Sequence, residues 1–328
     1  MGTHMVVSAT SYRVTLIKNW AAMLGAVVVA GVVSVVSAAP AGAEPAAHVV
    51  GQQPLGPAAV QMDVYSPAMD RVITNRVIRA PGGGPAPTLY LLTGIGGGVD
   101  NISWWDDTDV RAFFADKHVN VVMPIGGAYS MYTDWLGDDP AVGRNRWQTY
   151  LTQELPGVID DQLGTTGRNA VAGVSMSAAS AVDLAIQAPQ RYDAVASYSG
   201  CPWSNDPTGI AMVSAQVIRG GGNPGNMWGP PGGGAWPAHD AFGRAGALAG
   251  KSIYLSAASG IPGTIDRGWA FPPVEALASA CTSAFAGRLA QVGVPAVYIE
   301  RPRGAHTWGL FEQDLHDSWP QLAGAIGA

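Results

Sequence analysis

Residues 170–186 read AVAGVSMSAASAVDLAI, and the change of character at Ser175 decides how the chain folds. After Asn169, residues 170–174 are small and apolar with no polar alternate, the composition of a strand covered on both faces. From Met176 to Gln187 the small and aliphatic residues take helical spacing. A polar side chain is therefore set at a strand-to-helix corner, with Gly173 two positions before it. Strand, Gly-x-Ser, then helix is the pattern of a nucleophile elbow. The tight turn lifts the serine oxygen above the carboxyl end of a sheet, where the helix N-terminus and the Met176 N–H can face a developing oxyanion. Ser177 stands where the usual pattern has glycine, so a serine at an ordinary helix N-cap is the competing reading.

Outward from this corner, strands and helices alternate. Residues 60–64 and 71–78 read as a hairpin after a loose lead-in at 44–60. Short aliphatic runs at 88–92, 119–123, 169–174, 194–198, 251–256 and 295–300 read as strands. Helical spacing falls at 110–117, at 147–163 with an interruption at Pro156, at 176–187, at 273–292 and at 315–326. This is the pattern of a mostly parallel central sheet with helices on both faces, an α/β-hydrolase fold. Residues 44–328 read as one such domain, with an irregular Gly- and Trp-rich insertion at about 202–240.

Composition limits the function classes. The chain of 328 residues is 48% hydrophobic and 13% charged, with a net charge of −6. That balance suits a large core and lacks the basic stripe that binding phosphate backbones requires, so no nucleic-acid partner is expected. The N-terminus reads as an export signal, residues 1–43. Arg13 and Lys18 precede an apolar run at 21–36, and Ala41-Gly-Ala43 is an A-x-A site favouring cleavage over retention as an anchor. In an oxidising compartment Cys201 and Cys281, 80 residues apart, are expected to form a disulfide. Two cysteines alone make neither a zinc site nor a redox motif, and no metal or organic cofactor is implied.

A nucleophilic serine needs a base and an acid, in the chain order Ser, acid, His. His306 follows the last strand on the loop 301–306, the expected place. His239 lies in the insertion, where a structural hydrogen bond with Asp240 is expected. Asp193, Asp206, Asp240, Asp266, Glu275 and Glu300 fall between serine and histidine. Asp266 and Glu275 both follow the strand at 251–256, and the residues alone do not separate them.

Several short segments in order resemble one family: LLTG at 91–94, MPIGGAYSMYTDW at 123–135, Trp147 with ELP at 154–156, GVSM at 173–176, YSG at 198–200, NMWGP at 226–230 and GAHTW at 304–308. The chain is similar over this span to the mycolyltransferases of the antigen 85 group and their corynebacterial-type relatives, exported α/β-hydrolase enzymes. The resemblance implies an acyl-serine on Ser175, His306 as base and Glu275, rather than Asp266, as acid. It also implies oxyanion donors at the backbone N–H groups of Ile95 and Met176, and a substrate contact at Trp308. Two departures stand out: Thr93 and Gly96 replace an aspartate and an arginine that help hold trehalose in the antigen 85 pattern. The cysteine pair matches the corynebacterial-type branch.

The implied function is transfer of mycoloyl groups between trehalose monomycolate and trehalose or arabinogalactan acceptors. The implied partners are a mycolyl glycolipid donor and a sugar acceptor, with peripheral association with the outer lipid layer and a place in the cell envelope. The nearest alternative is an exported carboxylesterase that passes the same acyl group to water. A non-catalytic relative that only binds carbohydrate or matrix protein is a third class, which loss of the serine or histidine would mark.

Overall fold

Alternating residues near the start of the chain and unbroken apolar runs further on give two kinds of strand in one sheet. The structure, a computed structural model, describes residues 46–328, so the expected export segment lies outside the described residues. The strands are β1 (His48–Pro54), β2 (Ala59–Ser66), β3 (Arg71–Ile78), β4 (Thr88–Leu92), β5 (Asn120–Pro124), β6 (Asn169–Val174), β7 (Ala194–Tyr198), β8 (Ser252–Ala258) and β9 (Val297–Arg301). Their order in the sheet is β1-β2-β3-β5-β4-β6-β7-β8-β9. The first three pair antiparallel, β3 joins β5 antiparallel, and the pairs from β5 through β9 are parallel. Every residue of β4, β5, β6 and β7 is buried, as two covered faces require.

The helices are α1 (Trp104–Asp107), α2 (Val110–Phe113), α3 (Trp147–Thr149), α4 (Leu155–Leu163), α5 (Met176–Gln187), α6 (Pro207–Arg219), α7 (Pro224–Trp228), α8 (Pro272–Gln291) and α9 (Trp308–Ile326). A π-helical turn at Tyr150–Glu154 joins α3 to α4, and Pro156 follows it at the start of α4. The missing proline N–H is thereby placed in a first turn, where no intrahelical donor is needed. Strand side chains alternate between two cores. Val171, Val195 and Leu255 join Val182 and Ile186 of α5 and Phe285 of α8 in one. Ala172, Ala196 and Tyr198 join Trp104 of α1 and Leu315 and Leu322 of α9 in the other.

Four expectations are corrected. The lead-in at 44–60 contains β1, an edge strand of mostly exposed residues held by its ladder to β2, so hydrophobic pattern could not reveal it. The insertion at 202–240 is not irregular throughout: α6 runs for 13 residues, capped by the Asp206 carboxylate on Gly209 N–H with Pro207 at its first position. His239 pairs with Asp183 of α5, Nδ1 to Oδ2 at 2.7 Å, and stacks on Trp228 at 4.7 Å, while Asp240 accepts from Ser204 and Gly243 N–H. Finally, α9 starts at Trp308, well before residue 315, because the Thr307 side chain accepts from Leu310 N–H and caps it.

Cys201, just after β7, and Cys281 of α8 are joined in a disulfide with Cα atoms 4.9 Å apart. Beside it the Thr282 hydroxyl donates to the Gly200 carbonyl at 3.0 Å, so covalent and hydrogen bonds fix α8 to the end of β7. Replacing both cysteines by serine should lower the unfolding free energy by about 2–5 kcal/mol, as loss of a long-loop crosslink does. Urea denaturation measures this, and an unchanged midpoint would count against the restraint.

Candidate active site

The carboxyl ends of β4, β6, β7, β8 and β9 all deliver residues to one place, the usual crevice of an open α/β sheet. Ser175 sits there between β6 and α5 at φ 58° and ψ −120°, a conformation L-residues rarely take. The corner is compelled by closeness of strand and helix. A Cβ at Gly173 would lie 2.1 Å from the Ser177 carbonyl oxygen, so only glycine fits. Ser177 causes no clash and adds a tie: its buried hydroxyl accepts from Val174 N–H at 2.8 Å and lies 3.1 Å from the Leu92 carbonyl, a bond it can donate to β4. The N-cap reading of Ser175 fails, because its side chain makes no capping hydrogen bond. That hydroxyl is aimed elsewhere.

It donates to His306 Nε2 at 2.9 Å, and His306 Nδ1 lies 2.7 Å from Glu275 Oε2. An ionised carboxylate only accepts, so Nδ1 carries the proton and Nε2 is left free to accept from serine. Glu275, in the first turn of α8, is wholly buried. Its other oxygen accepts from Ser199 Oγ at 2.8 Å and from Ala258 N–H at 2.6 Å. Such a set of donors gives the buried oxygens the hydrogen bonds that water would otherwise supply. The arrangement can move a proton from the serine to the imidazole and hold the resulting cation.

Asp266, the other acid left open by the sequence, does not touch the imidazole. Its Oδ1 accepts from Ala305 N–H at 2.9 Å and Thr307 Oγ1 at 2.8 Å, and its Oδ2 accepts from Gly263 N–H at 2.7 Å. It grips the residues on either side of His306, which itself sits at φ 60°. Behind the histidine, Phe311 meets its ring edge-on at 5.1 Å, and Trp308 packs on Phe311 and on Trp104. The aromatic Trp104, whose indole N–H donates to the Leu92 carbonyl at 2.9 Å, opens the four-residue helix α1 and was not singled out from the sequence, since so short an element shows no periodicity.

The first loop after β4 passes directly over the serine: a Cβ at Gly94 would stand 3.6 Å from that of Ser175. Ile95 follows on this loop, and its carbonyl is held by Tyr129 N–H at 3.0 Å. Met176 opens α5 next to the nucleophile. Thr93 is buried, and the Asp100 carboxylate lies 2.5 Å from where a Cβ would stand at Gly96. Two concavities lie elsewhere: a groove of about 460 Å³ beside Arg71, Tyr129 and Trp147, and a small crevice beside His239 and Trp228. Ser175 and His306 line neither. Among the described residues no cluster of three His, Cys, Asp or Glu side chains could hold a metal.

The two acids should separate in an assay with a water-soluble activated ester. Glu275→Gln should lower turnover by about 10³–10⁴-fold, because an amide favours the wrong imidazole tautomer. Asp266→Asn acts only through loop position and should cost no more than about 10²-fold. Equal losses in both variants would contradict this division.

Comparison with known proteins agrees with the geometry. The family described as "Putative esterase" matches residues 66–322. The chain is 33% identical to the diacylglycerol acyltransferase/mycolyltransferase Ag85A of Mycobacterium leprae, over 81% of this chain and 83% of that protein. It is 30% identical to Ag85B of Mycobacterium avium, over 81% and 83% respectively. Among solved structures, Mycobacterium tuberculosis MPT51 (FbpC1) superposes with a TM-score of 0.69 at 28% identity, covering 80% of this chain and 96% of that one. An S-formylglutathione hydrolase from Agrobacterium tumefaciens, at 16% identity and a TM-score of 0.64, covers 85% of this chain and all of that one and shares the fold. A Gly-x-Ser corner, a histidine loop after the last strand and these likenesses agree: the chain belongs to the esterase family of α/β-hydrolases, as an antigen 85-type protein.

Proposed function

We propose that the chain is an exported acyltransferase of the cell envelope that moves mycoloyl groups from trehalose monomycolate to trehalose or arabinogalactan acceptors. The observation that carries this reading is the continuous run of hydrogen bonds from Ser175 through His306 to Glu275, in a chain whose relatives bear the name mycolyltransferase. His306 Nε2 takes the serine proton as Ser175 Oγ attacks the ester carbonyl. The tetrahedral oxyanion faces the N–H groups of Met176 and Ile95, and Glu275 balances the imidazolium. As the intermediate collapses, the ester C–O bond breaks and His306 returns the proton to the departing sugar oxygen, leaving acyl-serine. An acceptor hydroxyl then gives its proton to His306 and forms the new ester bond; the acyl–Oγ bond breaks and His306 returns the proton to Ser175.

Trp308, half-buried beside the histidine loop, is the proposed substrate contact, through the part of its ring that Trp104 and Phe311 leave open. The disulfide fits assembly in an oxidising compartment and so supports export. Water attacking the same acyl-serine would make the protein a carboxylesterase, and the family description keeps that reading in view. The two differ in the attacking hydroxyl alone, so the products decide between them. Incubation with purified trehalose monomycolate should yield dimycolate and free trehalose, resolved by mass spectrometry. Release of free mycolic acid with no dimycolate would establish hydrolysis in place of transfer.

A further inference from the structure

His306 lies on a short segment between the end of β9 and the start of α9, and one buried ion pair spans that segment. Arg301, the last residue of β9, donates from Nε to Oδ1 of Asp314, in the second turn of α9, at 2.8 Å. The partners are 13 residues apart in sequence, and the histidine falls between them. Asp314 is wholly buried, while the other arm of Arg301 donates from Nη2 to Asp317 at 2.6 Å, closer to solvent. One helical turn before Asp314, Phe311 meets the His306 ring edge-on at 5.1 Å. The pair fixes the register of α9 against β9, and that register decides where the ring is backed.

Packing alone gives no reason for a carboxylate here. Its Oδ2 lies beside the Ser256 hydroxyl of β8 without a hydrogen bond of normal geometry. The other groups facing Asp314 are Glu275 from α8, Arg301 from β9, Tyr254 from β8 and Tyr198 from β7, whose hydroxyl is taken by Ser318 of α9 at 2.6 Å. Arg301 is the one cation among them, and Asp317 of α9 shares it. Burial, opposed by Arg301, pushes the Asp314 carboxyl up to about 7. Folding therefore favours the protonated acid: that contribution is fully present below the ordinary carboxylate range and is lost as pH rises through about 7. A neutral side chain would fold at least as well. A buried pair of this kind stabilises poorly but can hold one arrangement against others.

We propose that Asp314 is a positioning residue for the base: its carboxylate holds Arg301, and so the two ends of the histidine segment, keeping Nε2 aimed at Ser175. It touches no reacting atom. The inference deepens the acyl-serine reading and rests on it for the role of His306. When the charge is removed, α9 loosens against β9, and Phe311 and the imidazole shift together.

Asp314→Asn imitates the protonated acid, so the test compares it with the wild type between pH 5.5 and pH 8, on a water-soluble ester and by thermal unfolding. At pH 8 its kcat should be about tenfold lower with KM little changed. The deficit should shrink below about twofold at pH 5.5, where the wild type itself carries the proton. Its Tm at pH 8 should equal or exceed that of the wild type. Arg301→Gln should lose a similar factor in kcat, and the double variant should lose no more than the worse single one. A kcat deficit that does not change with pH, or one that comes with a lowered Tm at pH 8, would overturn the inference by reducing Asp314 to an ordinary structural residue. Wild-type kcat in Asp314→Asn at pH 8, or losses that multiply in the double variant, would overturn it equally. Turnover that survives in Ser175→Ala is a separate outcome, which would overturn the acyl-serine reading and this inference with it.

Discussion

A wholly buried carboxylate must find donors for its oxygens, and the demand of Glu275 for three of them organises the catalytic end of the sheet. One oxygen takes the Ser199 hydroxyl after β7 and the Ala258 N–H at the end of β8, and the other takes the His306 ring. Three chain segments distant in sequence are therefore tied to the first turn of α8. The disulfide and the Thr282 bond act on the same helix further along, so its position is fixed at two places. Removing any one of these donors would leave a buried carboxylate oxygen short of a partner, which is more costly than losing an exposed ion pair.

Backbone strain gathers around the same carboxylate. Ser175, Ser199 and His306 all have φ between 50° and 60°, in the left-handed region that side-chain-bearing residues avoid at a cost of about 1–3 kcal/mol each. Each is held by bonds that leave little choice. Ser175 N–H donates to the Tyr198 carbonyl and Ser199 N–H to the Ser256 carbonyl, while Asp266 clamps both neighbours of His306. The strain aims three polar side chains inward from turns that would otherwise point them to solvent. It is the physical counterpart of a site assembled before substrate arrives.

The elbow, the sheet and the place of His306 beside Ser175 could be read from the sequence because each has a local signature: Gly173 before Ser175, unbroken apolar strands, and a histidine after the last strand. The acid could not be separated by residues alone, since Asp266 and Glu275 follow the same strand and both end up bonded to the histidine loop. Only their partners, set by folding, distinguish them. Helix α6 was hidden by the glycine and proline around it, and β1 by its exposed side chains. His239 was paired with its neighbour in sequence because the true partner, Asp183, lies 56 residues away on α5.

In the proposed mechanism the lifted oxygen of Ser175 is the group that becomes acylated. Peptide mapping by mass spectrometry after reaction with a fluorophosphonate probe tests it most directly. The expected product is a single adduct, on Ser175, formed at a rate that collapses when His306 is replaced by alanine. An adduct on another serine, such as Ser199 or Ser180, or labelling of Ser175 that is indifferent to His306, would contradict it.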